Sequence, residues 1–217
     1  MNLTLDCGQL VNYVHQQVNT FFPDDKPGLK EILGNVMEET LNRVDFCFSK
    51  INNKYFFDGE RTVFNHLNGD QYCMFLYYLS NTMYRNGVDS MFCSKIYLLN
   101  KILHGLDAFY EVSLPDVFMV IHPLATVLGR GNYSNYLLVY QRCGVGSNHD
   151  IYPSLGEFVT LHPGSAVLGN SAIGKICSIA AESLVLDMNL PDNALYIGNP
   201  KQHYIKQHTT ISSFWRI

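Results

Sequence analysis

The stretch LHPGSAVLGNSAIGKICSIAAESLVL, residues 161–186, decides the fold. Aliphatic residues stand six apart at Leu161, Val167, Ile173, Ile179 and Val185. Four residues after each of the first four comes a small one: Ser165, Ser171, Cys177 and Ser183. A helix repeats every 3.6 residues and a strand every 2, so neither accounts for a period of six. Hexapeptide repeats do, and they build a parallel β-helix. Three short strands close one triangular coil of about eighteen residues. The aliphatic residue points inward and stacks on its counterpart one coil away, at a strand spacing of about 4.8 Å. The small residue lets the chain bend at the corner without a clash.

Moving upstream, the same phase is expected at Ile121 and Val127, with Ala125 and Gly131 as the small residues. The run from Leu155 to about Pro191 accounts for two coils, and Ile121 to Ile151 for one or two more. Ile151 and Leu155 are four apart rather than six. Such a slip marks where a loop leaves the prism, and the loop is GSNHDIYP, residues 146–153.

Residues 1–114 read as helical. Leu3, Leu5, Leu10, Val11, Val14 and Val18 make one stripe, and Leu29, Ile32, Leu33, Val36, Met37 and Leu41 a second. Lys26-Pro27-Gly28 suits the start of the second helix. Asp70 is expected to cap a third helix through Tyr72, Phe75, Leu76, Leu79 and Met83, ended by Asn86-Gly87. A fourth is expected from Ser90 to Phe109, and the polar stretch 51–69 is a connecting loop. Helical periodicity stops at Leu114-Pro115. The chain thus reads as α+β: an all-helical domain over 1–114, for packing and oligomerisation, then a β-helix over 115–204. A tail over 205–217 holds the only Trp.

Composition narrows the function classes. With 47% hydrophobic and 16% charged residues, the 217-residue chain can bury a sizeable core. A formal charge of −4 with scattered Lys and Arg gives no footprint for nucleic acid. The six cysteines form no C-x-x-C pair and read as reduced thiols of a cytoplasmic protein. The N-terminus lacks the basic segment and apolar core of a secretory signal. The most apolar run, Met74 to Leu79, is too short to span a bilayer.

The repeat resembles the hexapeptide acyltransferases, and within them the serine O-acetyltransferase-like branch of polysaccharide-cluster type. Residues 161–186 follow that branch's coil sequence, including Leu168-Gly169-Asn170. IHPLATVLGRG at 121–131 is similar to the opening of its first coil, and Tyr196-Ile-Gly-Asn-Pro200 to its closing turn. Parallel crossovers are normally right-handed, and a period alone fixes no hand; the left-handed β-helix is what the resemblance implies. It also implies transfer of an acetyl group from acetyl-CoA to a hydroxyl, between neighbouring subunits of a homotrimer or a dimer of trimers. No metal is expected. The base is a histidine oriented by a carboxylate, which suits imidazole because it titrates near neutral pH.

The sequence departs from that pattern. The branch's aspartate before Ile-His-Pro is Val120 here. Its Asp-His-Ala motif is absent, along with most of a coil, where this chain reads Gly131-Asn-Tyr-Ser-Asn-Tyr136. Its loop histidine before proline is Tyr152, while its loop aspartate is matched by Asp150. The acceptor is therefore read as serine or, better, a saccharide hydroxyl or amine in surface-polysaccharide synthesis. His149, beside Asp150 in the loop, is the candidate base. Gly146, Ser147 and Ala181 match positions where the branch's chain runs close to the pantetheine arm of the coenzyme. His122 and His162, each before a proline, read as corner residues. Arg142 is read as either an anion contact or a surface ion pair.

Two other functions compete. A catalytically silent scaffold on the same fold would explain the missing dyad. A zinc enzyme like the γ-type carbonic anhydrases needs three converging histidines, and His149 and His162 have no third partner at close spacing.

Overall fold

The computed structural model describes residues 1–24 and 26–217. Asn2–Leu3 forms a short strand, β1. Asp6 then accepts the Gln9 N–H at 2.8 Å while the Gln9 side chain accepts the Asp6 N–H at 3.0 Å. This capping box starts α1 (Cys7–Phe21). Leu3 and Leu5, expected on the α1 stripe, therefore lie ahead of the helix. α2 (Leu29–Phe48) begins just after Lys26-Pro27-Gly28. The 51–69 stretch is not all loop: β2 (Val63–Phe64) pairs in parallel with β1.

α3 (Gly69–Arg85) is capped by Asn68, and Asp70 sits in its first turn instead of at the cap. From Gln71 to Met83 every residue of α3 is buried, because it lies between α2 and α4 (Ser90–His104). α4 stops at His104, short of the expected Phe109. Gly105 turns left-handed with φ 67° and accepts the role of a C-cap that other residues adopt at a cost. Leu106–Asp107 then forms β3, which joins the solenoid by pairing with β5.

The first coil is β4 (Phe118–Val120), β5 (Thr126–Leu128) and β6 (Asn132–Tyr133). The second is β7 (Leu137–Val139), β8 (Gly144–Gly146) and β9 (Ser154–Leu155). The third is β10 (Thr160–Leu161), β11 (Ala166–Leu168) and β12 (Ala172–Ile173). The fourth is β13 (Ser178–Ile179), β14 (Leu184–Leu186) and a bridge from Leu190 to Ile173. β15 (Ala194–Asn199) opens a fifth turn, and β16 (Gln202–Gln207) folds back antiparallel on it. Every pairing between successive coils is parallel.

Three inward columns fill the prism. Val120, Val139, Leu161, Ile179 and Tyr196 form one. Leu128, Val145, Val167 and Val185 form the second, and Leu155, Ile173 and Leu190 the third. None of these residues is more than 4% exposed. The first coil is out of the expected phase. Val120 and Leu128 point inward there, not Ile121 and Val127, and Val127 is 48% exposed. The corner between Val120 and Leu128 carries two residues beyond the regular six-residue step, so the later phase does not extend through it. Thr126, not Ala125, fills the small position above Cys143, accepting its N–H at 3.4 Å. Farther on, the expected slip is found: β8 and β9 are separated by the loop 147–153.

The helical layer and the solenoid share one core. Phe118 lies against the rings of Tyr77 and Tyr78 at 5.4 and 5.3 Å, and the Cys47 thiol donates to its carbonyl at 3.1 Å. Burial pushes that thiol up to about 11, so it stays protonated. The tail, patternless in sequence, runs back across the first-column face. Trp215 bridges to Ile51 there, with its ring 5.5 Å from that of Tyr136. Among the described residues no helix is long and apolar enough to cross a membrane.

Candidate functional site

Two features break the regular solenoid surface, and both carry a histidine. The first is the loop after β8. Asn148 and Ile151 exchange backbone hydrogen bonds of 3.1 and 3.0 Å, and His149 and Asp150 between them have φ of 50° and 59°. Two left-handed residues at the centre define a type I′ hairpin turn. This arrangement presents both side chains to solvent, and neither makes a hydrogen bond among the described residues. The loop is tied down from behind. Asn148 donates to Asp187 Oδ2 at 2.7 Å, while Asp187 Oδ1 accepts the Asn170 N–H at 2.8 Å.

Gly146 and Ser147 lead into the same corner. A Cβ on Gly146 would stand 3.7 Å from Leu168 Cδ2, an ordinary contact, so this subunit's own packing does not demand glycine. Its bareness leaves room at the surface for another chain or a ligand. Ala181 is exposed on a different corner, between β13 and β14. One subunit thus brings Gly146, Ser147, His149 and Asp150 together and leaves Ala181 apart. Arg142 forms an ion pair with Glu182. His162 stacks on Tyr140 with ring centroids 5.7 Å apart and is held below the usual imidazole range by burial, with His208 nearby adding to the effect. It lies on the corner after β10, away from His149. Among the described residues no three His, Cys, Asp or Glu side chains gather to hold a metal ion.

The second feature is the lengthened corner of the first coil. Most left-handed residues of the solenoid stand in repeating corner columns, such as Ala125, Arg142, Gly164 and Glu182. His122, with φ 51°, lies outside those columns and directly before Pro123. It borders a cleft of about 410 Å³ between the helical layer and the solenoid. The cleft is lined by Asn53, Tyr55, Asn68 and Asp70 on one side and by Met119 and Ile121 on the other. Among the described residues no Lys or Arg lines it. Asp70 Oδ1 accepts the His122 N–H at 2.9 Å and stands 4.0 Å from His122 Nδ1. Burial pushes the Asp70 carboxyl up, opposed by the hydrogen bond and charge of His122. Sequence reasoning missed this pair. In sequence Asp70 reads as a helix cap, and nothing in its spacing relates it to a residue 52 positions later.

No family model matches the chain, and no curated protein matches it by sequence. Solved structures do. Serine acetyltransferase of Neisseria gonorrhoeae superposes with a TM-score of 0.71 at 16% identity, covering 94% of this chain and 80% of that one. The enzyme of Vibrio cholerae O1 gives a TM-score of 0.73 at 15% identity, covering 93% and 80%. A serine acetyltransferase in complex with CoA gives 0.71 at 17% identity, covering 92% and 85%. Helices and solenoid together, this chain has the fold of the serine acetyltransferases.

Proposed function

We propose that the protein is an acetyl-CoA-dependent acetyltransferase acting on a saccharide hydroxyl or amine of surface-polysaccharide synthesis. The likeness to serine acetyltransferases over nearly the whole chain carries this reading. The bare approach at Gly146 and Ser147 supports it. These two residues and Ala181 would line the pantetheine arm, and His149 and Asp150 would meet the acceptor from the hairpin. Because Ala181 and the hairpin lie on different corners, a complete site requires a neighbouring subunit, as in a homotrimer. A saccharide suits the cleft at His122 better than serine does, since an amino acid's carboxylate would find no Lys or Arg there. Residues 1–114 would serve packing and association, and 115–204 the chemistry, in a cytoplasmic setting.

The chemistry needs a group that takes the acceptor's proton, because a neutral hydroxyl is a poor nucleophile. The freed oxygen bonds to the thioester carbonyl carbon, the oxyanion is held by backbone N–H groups, and the C–S bond breaks to release the coenzyme thiol. Release of free thiol from acetyl-CoA, measured with serine, UDP-sugars and amino sugars in turn, tests the reading. Turnover on a saccharide with little on serine is expected. Failure to bind CoA at all would overturn it. Saturable CoA binding without turnover on any acceptor would favour the silent scaffold, a reading supported by the unpaired His149 and Asp150 side chains.

A further inference from the structure

Of the histidines, His122 is the one within 4.0 Å of a carboxylate among the described residues. Three others meet neutral partners: His104 an Asn100 amide, His66 a Thr4 hydroxyl, His208 the Ser178 hydroxyl. The carboxylate and the ring divide the cleft between them. Asp70 is set into its wall with a side chain 22% exposed, while the His122 ring stands in its mouth at 76%. Asp70 also pins the His122 backbone, in a conformation that residues other than glycine adopt at a cost, at a corner the repeat does not require. Strain maintained outside the demands of the fold points to a function.

We propose that His122, oriented by Asp70, is the base that takes the acceptor's proton, in the acetyl transfer proposed above and resting on it. With Asp70 accepting from Nδ1–H, the lone pair of the imidazole is on Nε2, away from the wall. Nε2 takes the hydroxyl proton as the oxygen bonds to the thioester carbonyl carbon. When the C–S bond breaks, the imidazolium returns that proton to the departing thiolate, so acetyl ester and free thiol are the only products. At 4.0 Å the Nδ1 contact is longer than a hydrogen bond. A swing of the exposed ring closes it, and catalytic hydrogen bonds commonly tighten when substrate enters. Asp70 is a positioning residue. Tyr55 is the other titratable side chain lining the cleft.

The test uses the full chain with His122→Asn, Asp70→Asn and Asp70→Glu, each checked for an unchanged circular dichroism spectrum. Loss of a general base predicts that His122→Asn lowers kcat by about 10²–10⁴ with little change in the KM for acetyl-CoA. Asp70→Asn should lower kcat less. It should also move the acid limb of the kcat/KM profile to lower pH, because the charge that stabilises the imidazolium is gone. Asp70→Glu should restore the limb in part. Titration of the His122 ring by NMR should show the same downward shift in Asp70→Asn, and this readout needs no turnover. Full activity in His122→Asn overturns the proposal, as does an Asp70→Asn variant in which neither the limb nor the ring titration moves. If the native chain turns over no acceptor, the reaction and the base role fail together, while the NMR titration still reports whether the pair exists.

Discussion

Val127 and Leu128 are adjacent, both apolar, and opposite in consequence. Leu128 is fully buried in the second inward column and Val127 is 48% exposed. Leu128→Ala removes buried methyl groups from a stack that cannot collapse around them, and should cost about 2–5 kcal/mol in denaturant unfolding. Val127→Ala should cost well under half of that; equal costs would mean that the phase of the first coil is misassigned. His104 sets a pH dependence in the helical layer. Burial lowers its pKa to about 4, against 6.5 for the free group, while its Nδ1 stays 2.8 Å from Asn100 Oδ1. The unfolded chain therefore binds this proton at a higher pH than the folded one does. The stability contributed by neutral His104 is complete above pH 6.5 and drains away as pH falls toward 4. Thermal unfolding of the native chain and of His104→Gln between pH 7 and pH 4 checks this. The variant should lose less stability over that range, and parallel curves would rule the histidine out.

At the scale of elements, the loop between β8 and β9 is a hairpin held by one side chain. Asp187 carries both the Asn148 amide and the Asn170 N–H. Asp187→Ala should free the hairpin while leaving the inward columns intact. Hydrogen exchange at Ile151 should quicken and any acetyl transfer should fall, with little change in melting temperature; an unmoved exchange rate would show that the turn holds itself. Much of this architecture is legible in sequence, and what is not has physical causes. Residues 161–186 keep one residue type per position, so their period reads directly. The first coil offers apolar neighbours, Val120 with Ile121 and Val127 with Leu128, so both phases look equally hydrophobic. A register carried by such pairs is weakly specified, and the two residues added at the corner are visible only once the coils are stacked. Leu3 and Leu5 continue a helical stripe that the Asp6 capping box cuts off. Leu106 extends the α4 stripe past Gly105, whose left-handed turn overrides it. The loop was found because a slip in a strict period is local. The Asp70 and His122 pair was not, because it exists only through the packing of α3 on the first coil.

For the whole molecule, the deciding surface is the outside of the second face. Its outward positions on β5, β8, β11 and β14 are Val127, Gly144, Gly146, Ala166, Leu168, Leu184 and Leu186, without a single charge; β3, at the end of the same sheet, adds Asp107, paired with Lys101. The first face is crossed by the tail at Ile211 and closed at one end by β16, and the third is lined by polar Asn132 and Ser154. A flat, uncharged strip of this kind is what one subunit presents to another. The His149 hairpin leaves from the edge of the strip, and the His122 corner lies at its other edge. In a closed three-fold ring the contact is heterologous, so different edges of two neighbours meet at each boundary. Association and activity should then fail together. Leu168→Glu places a charge at the centre of the strip without touching an inward column. If the chain forms the proposed trimer, the variant should sediment as a monomer at micromolar concentration, keep the native circular dichroism spectrum, and lose any acetyl transfer. A variant that sediments as the native protein does would move the interface elsewhere. A monomer that kept full turnover would show that each chain holds a complete site, and that the bare approach at Gly146 serves a ligand and not a neighbour.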